Sequence, residues 1–148
     1  MPQASVPIRV PFPDVDSTGR IHFTAMLRYM EIAEHELMRS IGFPYATPLS
    51  DTTLPRVHIE CDFRKAVHYD DVLIVEARVH HVGRSSWTVA FTIRSTEEAT
   101  RTDDQHDTQR VGEIVAEGKI TIVAMDPTTE RAKPVPDNLR RALTNHDI

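Results

Sequence analysis

The sequence predicts an α+β domain in which one long helix precedes several consecutive antiparallel strands. Apolar residues recur at helical spacing from about Ala25 to Ile41, and period-two alternation dominates after residue 54. The chain has 148 residues, which suits one domain with a full-sized core. We therefore expect a single domain over residues 1–148, with a core at about 6–127 and a charged tail at 128–148.

The composition is that of an ordinary globular protein and excludes several classes of function. The formal net charge is -5, whereas nucleic-acid-binding domains are usually basic, so we expect no nucleic-acid partner. Cys61 is the single cysteine, so no internal disulfide can form. No signal peptide and no apolar run long enough for a membrane span is apparent. These features predict a cytoplasmic protein.

The N-terminal part predicts a strand and a tight acidic turn. Alternation from about Val6 to Phe12 indicates a strand, and the prolines at 11 and 13 place it at a sheet edge or end it. The segment from Asp14 to Gly19 joins short polar side chains to a glycine, which predicts a turn with positive φ at Gly19.

The long helix has recognisable ends. Thr24 is typical of an N-cap, Gly42 of the first residue beyond a helix, and Pro44 prevents continuation. Glu34 falls near the apolar face and Glu31 on its border. A carboxylate there lies at the edge of the face, is paired, or lines a cavity; we expect the edge position for Glu34.

The remainder of the chain predicts strands with one long connection. Residues Ser95 to Arg110 are polar and charged without an apolar pattern, which suggests a long, mobile hairpin connection. A short helical turn is expected at Asn138 to Leu143. The predicted strands are Leu54 to Lys65, Val72 to Val82, Trp87 to Ile93 and Val111 to Met125, about five in total with the first.

Asp14 and Asp16 are the main candidates for chemistry. Aspartates are common in tight turns, so both could serve only the turn. A carboxylate just before a helix start could also act beside the free N–H groups of that helix. Cys61 alternates with apolar neighbours and is expected to be a core thiol, while His80 and His81 point to opposite faces of a strand and cannot share a metal.

Several segments, taken in order, resemble the hotdog-fold acyl-CoA thioesterases. The closest branch is the 4-hydroxybenzoyl-CoA thioesterase-like group, which includes the YbgC-type enzymes, and its D-x-D-x-x-G element matches Asp14 to Gly19. The resemblance covers about residues 7–136. Its segments are Phe12 to Ile21, Tyr29 to Ala33, Phe63 to Asp71, Val82 to Ser86, Ala116 to Gly118 and Ala124 to Pro127.

The resemblance implies a long helix wrapped by a curved antiparallel sheet, paired into homodimers and often homotetramers. It implies active sites between subunits near the helix N-terminus. By this resemblance Asp16 is the catalytic carboxylate, and the backbone N–H of about Phe23 polarises the thioester carbonyl. Asp14 then belongs to the turn or pairs with an arginine.

Further residues take roles from the same resemblance. Many YbgC-type members carry Tyr-His where this chain has His22-Phe23, so the histidine is shifted by one position and His22 is only a secondary catalytic candidate. Gly19 is a candidate substrate contact. Glu31 is either a solvated helix charge or faces the acyl pocket and meets a polar group on the substrate. Arg84, Ser85 and Ser86 either form a bulge and turn or contact the pantetheine or phosphates of CoA.

The resemblance implies that the protein hydrolyses an acyl- or aroyl-CoA to a free acid and CoA. Coenzyme A is then part of the substrate, and we expect no cofactor, metal or nucleotide besides it. Two alternatives stay open: hydrolysis of acyl groups from acyl carrier protein, which would favour a basic docking surface, and binding of acyl-CoA without catalysis.

Overall fold

The computed structural model describes residues 1–98 and 109–145, and these form an antiparallel sheet of five strands with two helices. The strand order across the sheet is β1-β3-β4-β5-β2, so β1 and β2 form its edges. The predicted α+β hotdog architecture is confirmed. The elements are β1 (Gln3–Arg9), a 3-10 turn (Phe12–Asp14), α1 (Phe23–Ser40), β2 (Arg56–Phe63), β3 (Val72–Val82), β4 (Ser86–Glu98), β5 (Gln109–Val123) and α2 (Asp137–Thr144).

Helix α1 begins two residues earlier than expected. His22, not Thr24, is the N-cap, because its ring Nδ1 accepts a hydrogen bond from the Thr24 N–H at 3.3 Å. At the other end Gly42 directly follows the C-cap, as predicted, with a φ of 87°. The Phe43 N–H bonds the carbonyl of Met38 at 2.9 Å. The predicted C-terminal stop is therefore confirmed.

The first strand is shifted towards the N-terminus. It ends at Arg9 rather than Phe12, because proline occupies position 11 and the next residues turn into the 3-10 segment. Its position at the sheet edge agrees with the prediction.

The hairpin between β4 and β5 is more regular than its composition suggests. Polar residues continue the ladder, with Thr96 opposite Val111 and Glu98 opposite Gln109. The prediction of a connection over Ser95–Arg110 is therefore wrong at both ends, because cross-strand pairing overrides the missing apolar pattern. Its central part, 99–108, lies outside the described residues. The short C-terminal helix is confirmed and extends over Asp137–Thr144.

The core lies between α1 and the concave face of the sheet. Met26, Met30, Ala33 and Leu37 are buried on the helix face that the periodicity predicts. Gly118 of β5 allows close approach, since a Cβ there would stand 2.6 Å from Met30 Cε. No helix in the described ranges is long and apolar enough to span a membrane.

The two edge strands differ in how well they are covered. Strand β1 alternates exposed and half-buried residues, whereas β2 is exposed along nearly its whole length. Val57, Ile59 and Phe63 on β2 are 59%, 47% and 50% exposed. An edge strand with this many exposed apolar side chains is the part of the sheet that a partner would cover.

Candidate active site

The acidic turn is a small hairpin that leads directly into α1. Val15 and Ile21 form an antiparallel bridge, and the Asp16 N–H bonds the Arg20 carbonyl at 2.8 Å. Gly19 adopts a φ of 81°, as predicted, and its N–H bonds the Asp16 carbonyl at 3.0 Å. The turn therefore holds Asp16 a few residues before the first helical residue.

The Asp16 carboxylate is exposed and is oriented by one neighbour. Its Oδ1 accepts from the Thr18 N–H at 2.8 Å and from the Thr18 hydroxyl at 2.5 Å. These hydrogen bonds from Thr18 are the main reason that the pKa of Asp16 is lowered, so the group is ionised at neutral pH. The Arg20 backbone N–H also lowers the pKa of this carboxylate. Among the described residues no hydrogen bond of good geometry reaches Oδ2.

The first turn of α1 offers a backbone donor. The Ala25 N–H bonds the His22 carbonyl at 2.9 Å, and the Thr24 N–H bonds the His22 ring. Among the described residues no acceptor engages the N–H of Phe23. An unpaired N–H at the positive end of a helix dipole can stabilise a developing oxyanion.

Asp14 is buried and engaged in structural contacts. Its carboxylate accepts from the Tyr29 hydroxyl at 2.7 Å and pairs with the Arg28 guanidinium. Burial acts to raise the pKa of Asp14, but the hydrogen bonds from Tyr29 and Arg28 outweigh it and lower the pKa. The arginine pairing considered for Asp14 is therefore present, and the two acids of the motif have different environments.

His22 is used locally at the helix start. Its Nδ1 lies 2.7 Å from the Thr24 hydroxyl, and its ring stacks on Phe23 with centroids 4.7 Å apart. The same nitrogen accepts from the Thr24 backbone, so this side of the ring serves the cap. His22 therefore caps helix α1, a role that its position in the motif did not predict.

Exposed aromatic rings surround the turn. Phe12 and Tyr69 meet edge to face at 5.7 Å, and the Tyr69 N–H bonds the Gly19 carbonyl at 3.1 Å. Phe23 is also largely exposed. Sequence reasoning did not select Tyr69, because nothing local connects residue 69 with a turn fifty residues earlier.

Glu31 is exposed on the side of α1 that faces β2. One helical turn later Glu34 lies on the same side and pairs with Arg56 at the start of β2. Although burial acts to lower the pKa of Arg56, the charge of Glu34 raises it, and the charge of Glu31 makes a minor contribution to this rise. Glu31 therefore lies on the same side of α1 as the Glu34–Arg56 pair.

The turn between β3 and β4 lies far from Asp16 in the same chain. Arg140 of α2 donates to the carbonyls of Gly83 and Arg84, each at 2.8 Å, and Ser85 accepts from Ala124 at 2.8 Å. The acidic turn adjoins the opposite end of β3, about 33 Å away along the strand. One chain therefore does not bring Arg84, Ser85 and Ser86 to Asp16.

Cys61 is a half-buried free thiol on β2. Burial, and then the charge of Asp62, raise the pKa of the Cys61 thiol, which makes it a poor nucleophile. Within residues 1–98 and 109–145, no cluster of three or more His, Cys, Asp or Glu side chains is arranged to hold a metal ion.

Glu34 lies in the interior rather than at the edge of the helix face, and it pairs with an arginine that the sequence did not single out. Its exposed fraction is 0%, so its predicted position at the edge of the helix face is wrong. It pairs with Arg56 beside Tyr45, next to a cavity of about 330 Å³. The only sequence signal was an acid near an apolar face, because both partners come from distant segments.

The thioesterase superfamily model matches residues 18–101, which is more than half of the chain. The protein belongs to the thioesterase superfamily. The match begins just after Asp16, so it supports the family and leaves the role of that residue to be proposed. Membership makes the chain a thioester hydrolase, with acyl-CoA thioesterase activity at the level of the family. The resemblance found in the sequence is thereby confirmed.

Similar proteins agree with this assignment. An Aquifex aeolicus protein described as an esterase is 31% identical over 111 residues, 73% of this chain and 86% of its own. The 1,4-dihydroxy-2-naphthoyl-CoA hydrolase of Prochlorococcus marinus (strain MIT 9313) is 27% identical over 145 residues, which cover 90% of this chain and 85% of that protein. The solved 1,4-dihydroxy-2-naphthoyl-CoA thioesterase of Synechocystis shares the fold, with a TM-score of 0.81 and 18% identity. The match covers 99% of this chain and 98% of that structure.

Proposed function

We propose that this thioesterase hydrolyses the CoA thioester of an aromatic acid, with Asp16 as the catalytic carboxylate. The observation that carries the proposal is the ionised, exposed Asp16 in a rigid turn that leads into the unpaired Phe23 N–H. The preference for an aromatic acyl group is supported by the 1,4-dihydroxy-2-naphthoyl-CoA hydrolases among the relatives and by the exposed rings around the turn.

The reaction needs only these groups and water. Asp16 takes a proton from water as the hydroxide oxygen bonds the thioester carbon, and the Phe23 N–H donates to the carbonyl oxygen as negative charge forms there. The carbon–sulfur bond then breaks, the sulfur leaves with its electron pair, and the proton passes from Asp16 to that sulfur. The products are the free acid and CoA. Direct attack by Asp16 through an anhydride would use the same groups.

We further propose that the protein works as a homodimer joined along β2. This strand is open on both faces, and its exposed Ile59 lies near its midpoint. Antiparallel pairing centred on Ile59 would bring its apolar side chains together and place His58 opposite the partner's Glu60. A second copy would therefore cover the exposed apolar side chains of this edge.

Such a dimer would complete the active site. Within one chain the acidic turn adjoins the Phe63 end of β2, since the Ile21 N–H bonds the Val67 carbonyl at 2.8 Å. The Arg84 turn lies towards the Arg56 end, where Ser86 pairs with Val123 and the Val123 N–H bonds the Pro55 carbonyl. Because antiparallel pairing aligns opposite ends, the partner's Arg84 turn would face Asp16 and could contact CoA.

The decisive test is Asp16→Asn measured on a panel of aromatic and aliphatic acyl-CoAs with detection of the released thiol. We expect kcat to fall by about 10²-fold or more with little change in KM, since the substitution removes the base and keeps its shape. Glu130→Gln, an exposed acid of the C-terminal tail, should retain the wild-type rate. Equal rates for wild type and Asp16→Asn would disprove the assignment.

The same panel separates the alternatives. Acyl carrier protein as the preferred donor would appear as a higher kcat/KM for the same acyl group on the carrier protein, although the net charge of -5 does not favour docking of an acidic partner. Tight binding of every CoA ester without turnover would indicate a non-catalytic protein.

A further inference from the structure

A charged cluster lies where α1, β2 and the segment between them meet. Glu34 is fully buried and pairs with Arg56, whose side chain is 31% exposed. The Arg56 guanidinium also lies over the Tyr45 ring, 5.2 Å from its centroid. Burial raises the pKa of Glu34 although the charge of Arg56 opposes it. Three segments of the chain thus converge on one arginine.

The cluster is incompletely satisfied. Glu34 Oε1 and the Tyr45 hydroxyl are both buried, and neither makes a hydrogen bond of good geometry among the described residues. The two groups lie close enough to interact, since burial raises the pKa of Glu34 and Tyr45 acts to lower it. A ligand hydroxyl that reached Glu34 Oε1 would give this oxygen a better partner.

A cavity adjoins the cluster. It has a volume of about 330 Å³, and Arg56 and Tyr45 form part of its wall. That size is within the range of small-molecule sites, which combine apolar walls with a few placed polar groups. The rest of its wall is mainly apolar, from the end of α1, the following segment and α2, and includes Met38, Phe43, Pro44, Leu49, Leu54 and Leu139.

The cavity cannot serve Asp16 of its own chain. Met38 lies fifteen residues beyond Phe23 on α1, a distance of about 22 Å. In the β2-paired dimer, however, Arg56 would stand opposite the Phe63 end of the partner strand. Three residues, at most about 13 Å of chain, lie between Phe63 and Val67, which bonds the segment between Asp16 and Phe23. An aromatic acyl group and an arginine side chain together can bridge this separation.

We propose that Arg56, held by Glu34 and flanked by Tyr45, forms the polar wall of the acyl pocket that serves Asp16 of the partner protomer, and that it selects hydroxylated aromatic acyl groups. The inference rests on the proposed function and on its dimer. It assigns the specificity to residues that act across the interface, whereas Asp16 acts in its own chain.

The chemistry of the cluster fits a ring hydroxyl. A hydroxyl can accept from the Arg56 guanidinium and donate to a carboxylate oxygen such as Glu34 Oε1. The Tyr45 and Arg56 groups also present flat surfaces against which an aromatic ring can stack. An unsubstituted ring would fill the apolar part of the pocket without these polar contacts.

The first test compares 1-hydroxy-2-naphthoyl-CoA with 2-naphthoyl-CoA. Arg56→Met should raise KM for the hydroxylated substrate about ten-fold or more while KM for 2-naphthoyl-CoA changes by less than about three-fold. Tyr45→Phe should shift the ratio in the same direction, and Arg131→Met, in the exposed tail, should leave it unchanged. Equal effects of Arg56→Met on both substrates, or none on either, would overturn the proposal.

The replacement of Arg56 alone leaves Glu34 buried without its charge partner. The double variant Glu34→Leu/Arg56→Met removes the pair together and should keep the fold, because apolar residues can replace a buried ion pair. A cooperative thermal unfolding transition would show that the double variant is folded. It should show the same loss of discrimination between 1-hydroxy-2-naphthoyl-CoA and 2-naphthoyl-CoA. A folded double variant with wild-type discrimination would contradict the role.

Mixed dimers test whether the pocket acts across the interface. A dimer of one Asp16→Asn chain and one Arg56→Met chain, isolated through two different tags, would retain one complete site and about half of the wild-type kcat at the wild-type KM. A dimer of one wild-type chain and one doubly substituted chain would also keep about half of the wild-type kcat, because one Asp16 remains. Its KM for the hydroxylated substrate would be raised about ten-fold, because that Asp16 faces the Arg56→Met substitution. The reverse result would place Arg56 and Asp16 of one chain in the same site and overturn the inference.

Fluorescence titration with free 1-hydroxy-2-naphthoic acid separates this inference from the proposed function. Asp16→Asn should bind the acid as wild type does, and Arg56→Met should bind it about ten-fold more weakly. Weaker binding by Arg56→Met with unchanged turnover by Asp16→Asn would retain the pocket and reject Asp16 as the catalytic group. Unchanged binding by Arg56→Met would reject the pocket whatever the role of Asp16.

Discussion

At the scale of single residues, two aspartates separated by one residue have opposite roles. Asp14 is nearly inaccessible and bonded to Tyr29 and Arg28. Asp16 is exposed, and its Oδ1 accepts from Thr18. The pKa of each is lowered, but by different neighbours. The two aspartates therefore differ in solvent exposure, although both carboxylates are ionised at neutral pH.

Asp14→Asn is expected to lower the free energy of unfolding by about 2 kcal/mol at neutral pH, because hydrogen bonds to the ionised carboxylate are lost. Since the pKa of Asp14 is lower in the folded state, its stabilisation is present above the unfolded value of about 3.9 and is lost as the pH falls through the folded pKa. The difference between wild type and variant should therefore shrink below about pH 4.

Urea unfolding between about pH 7 and pH 3 measures this effect. Tyr29→Phe removes one donor to Asp14 and should give a smaller loss with the same pH dependence. A difference between wild type and Asp14→Asn that stays constant down to pH 3 would contradict the prediction.

At the scale of elements, the helix is held to the sheet at one close contact and begins at an unusual cap. Gly118 of β5 faces Met30, and the Glu60 carbonyl oxygen of β2 is equally close to the position that a Cβ would take there. The His22 cap sets the first turn of α1 at Phe23, which leaves that N–H beside the acidic turn. Packing therefore determines where the helix lies, and the cap determines where its free donors lie.

Gly118→Ala should destabilise the protein by about 1–3 kcal/mol, because the new Cβ would stand 2.6 Å from both the Glu60 carbonyl oxygen and Met30 Cε. Gly83→Ala is the matched control, since its Cβ would meet nothing closer than 3.5 Å. Chemical unfolding of both variants measures the difference. Equal stabilities of Gly118→Ala and Gly83→Ala would contradict the prediction, because they would mean that the neighbouring atoms shift to accommodate the new Cβ without cost.

At the scale of the whole molecule, the sheet has one covered and one open edge. Helix α1 packs mainly over β1 and β3 and α2 over β3, so neither helix covers β2 closely. The acidic turn and the cavity lie towards opposite ends of β2. A second copy on this edge would cover the apolar residues and bring the two sites together.

Ile59→Asp should convert the dimer to a monomer and lower kcat/KM about ten-fold or more, because a charge would replace the apolar centre of the proposed interface. Ser5→Asp, on the other edge strand, should remain a dimer with wild-type activity. Light scattering after size-exclusion chromatography measures the mass of each. A wild-type protein that is monomeric and fully active would refute the dimer.

Local patterns in the sequence determined much of this protein. Periodicity predicted one long helix and about five strands, and local chemistry predicted the positive φ of Gly19 and the end of the helix before Gly42. Such features depend on neighbours within a few residues, so they can be inferred without the fold. The start of β1 and the ends of the β4–β5 hairpin were misjudged because sheet pairing overrides local preference.

Only the tertiary structure decided which distant residues meet. Glu34 was expected at the edge of the helix face, and it is buried because Arg56, from another segment, compensates its charge. Tyr69 beside Gly19, the open edge of β2 and the distance of Arg84 from Asp16 likewise follow from chain topology. No local pattern encodes these contacts, since each depends on how segments far apart in sequence pack against one another.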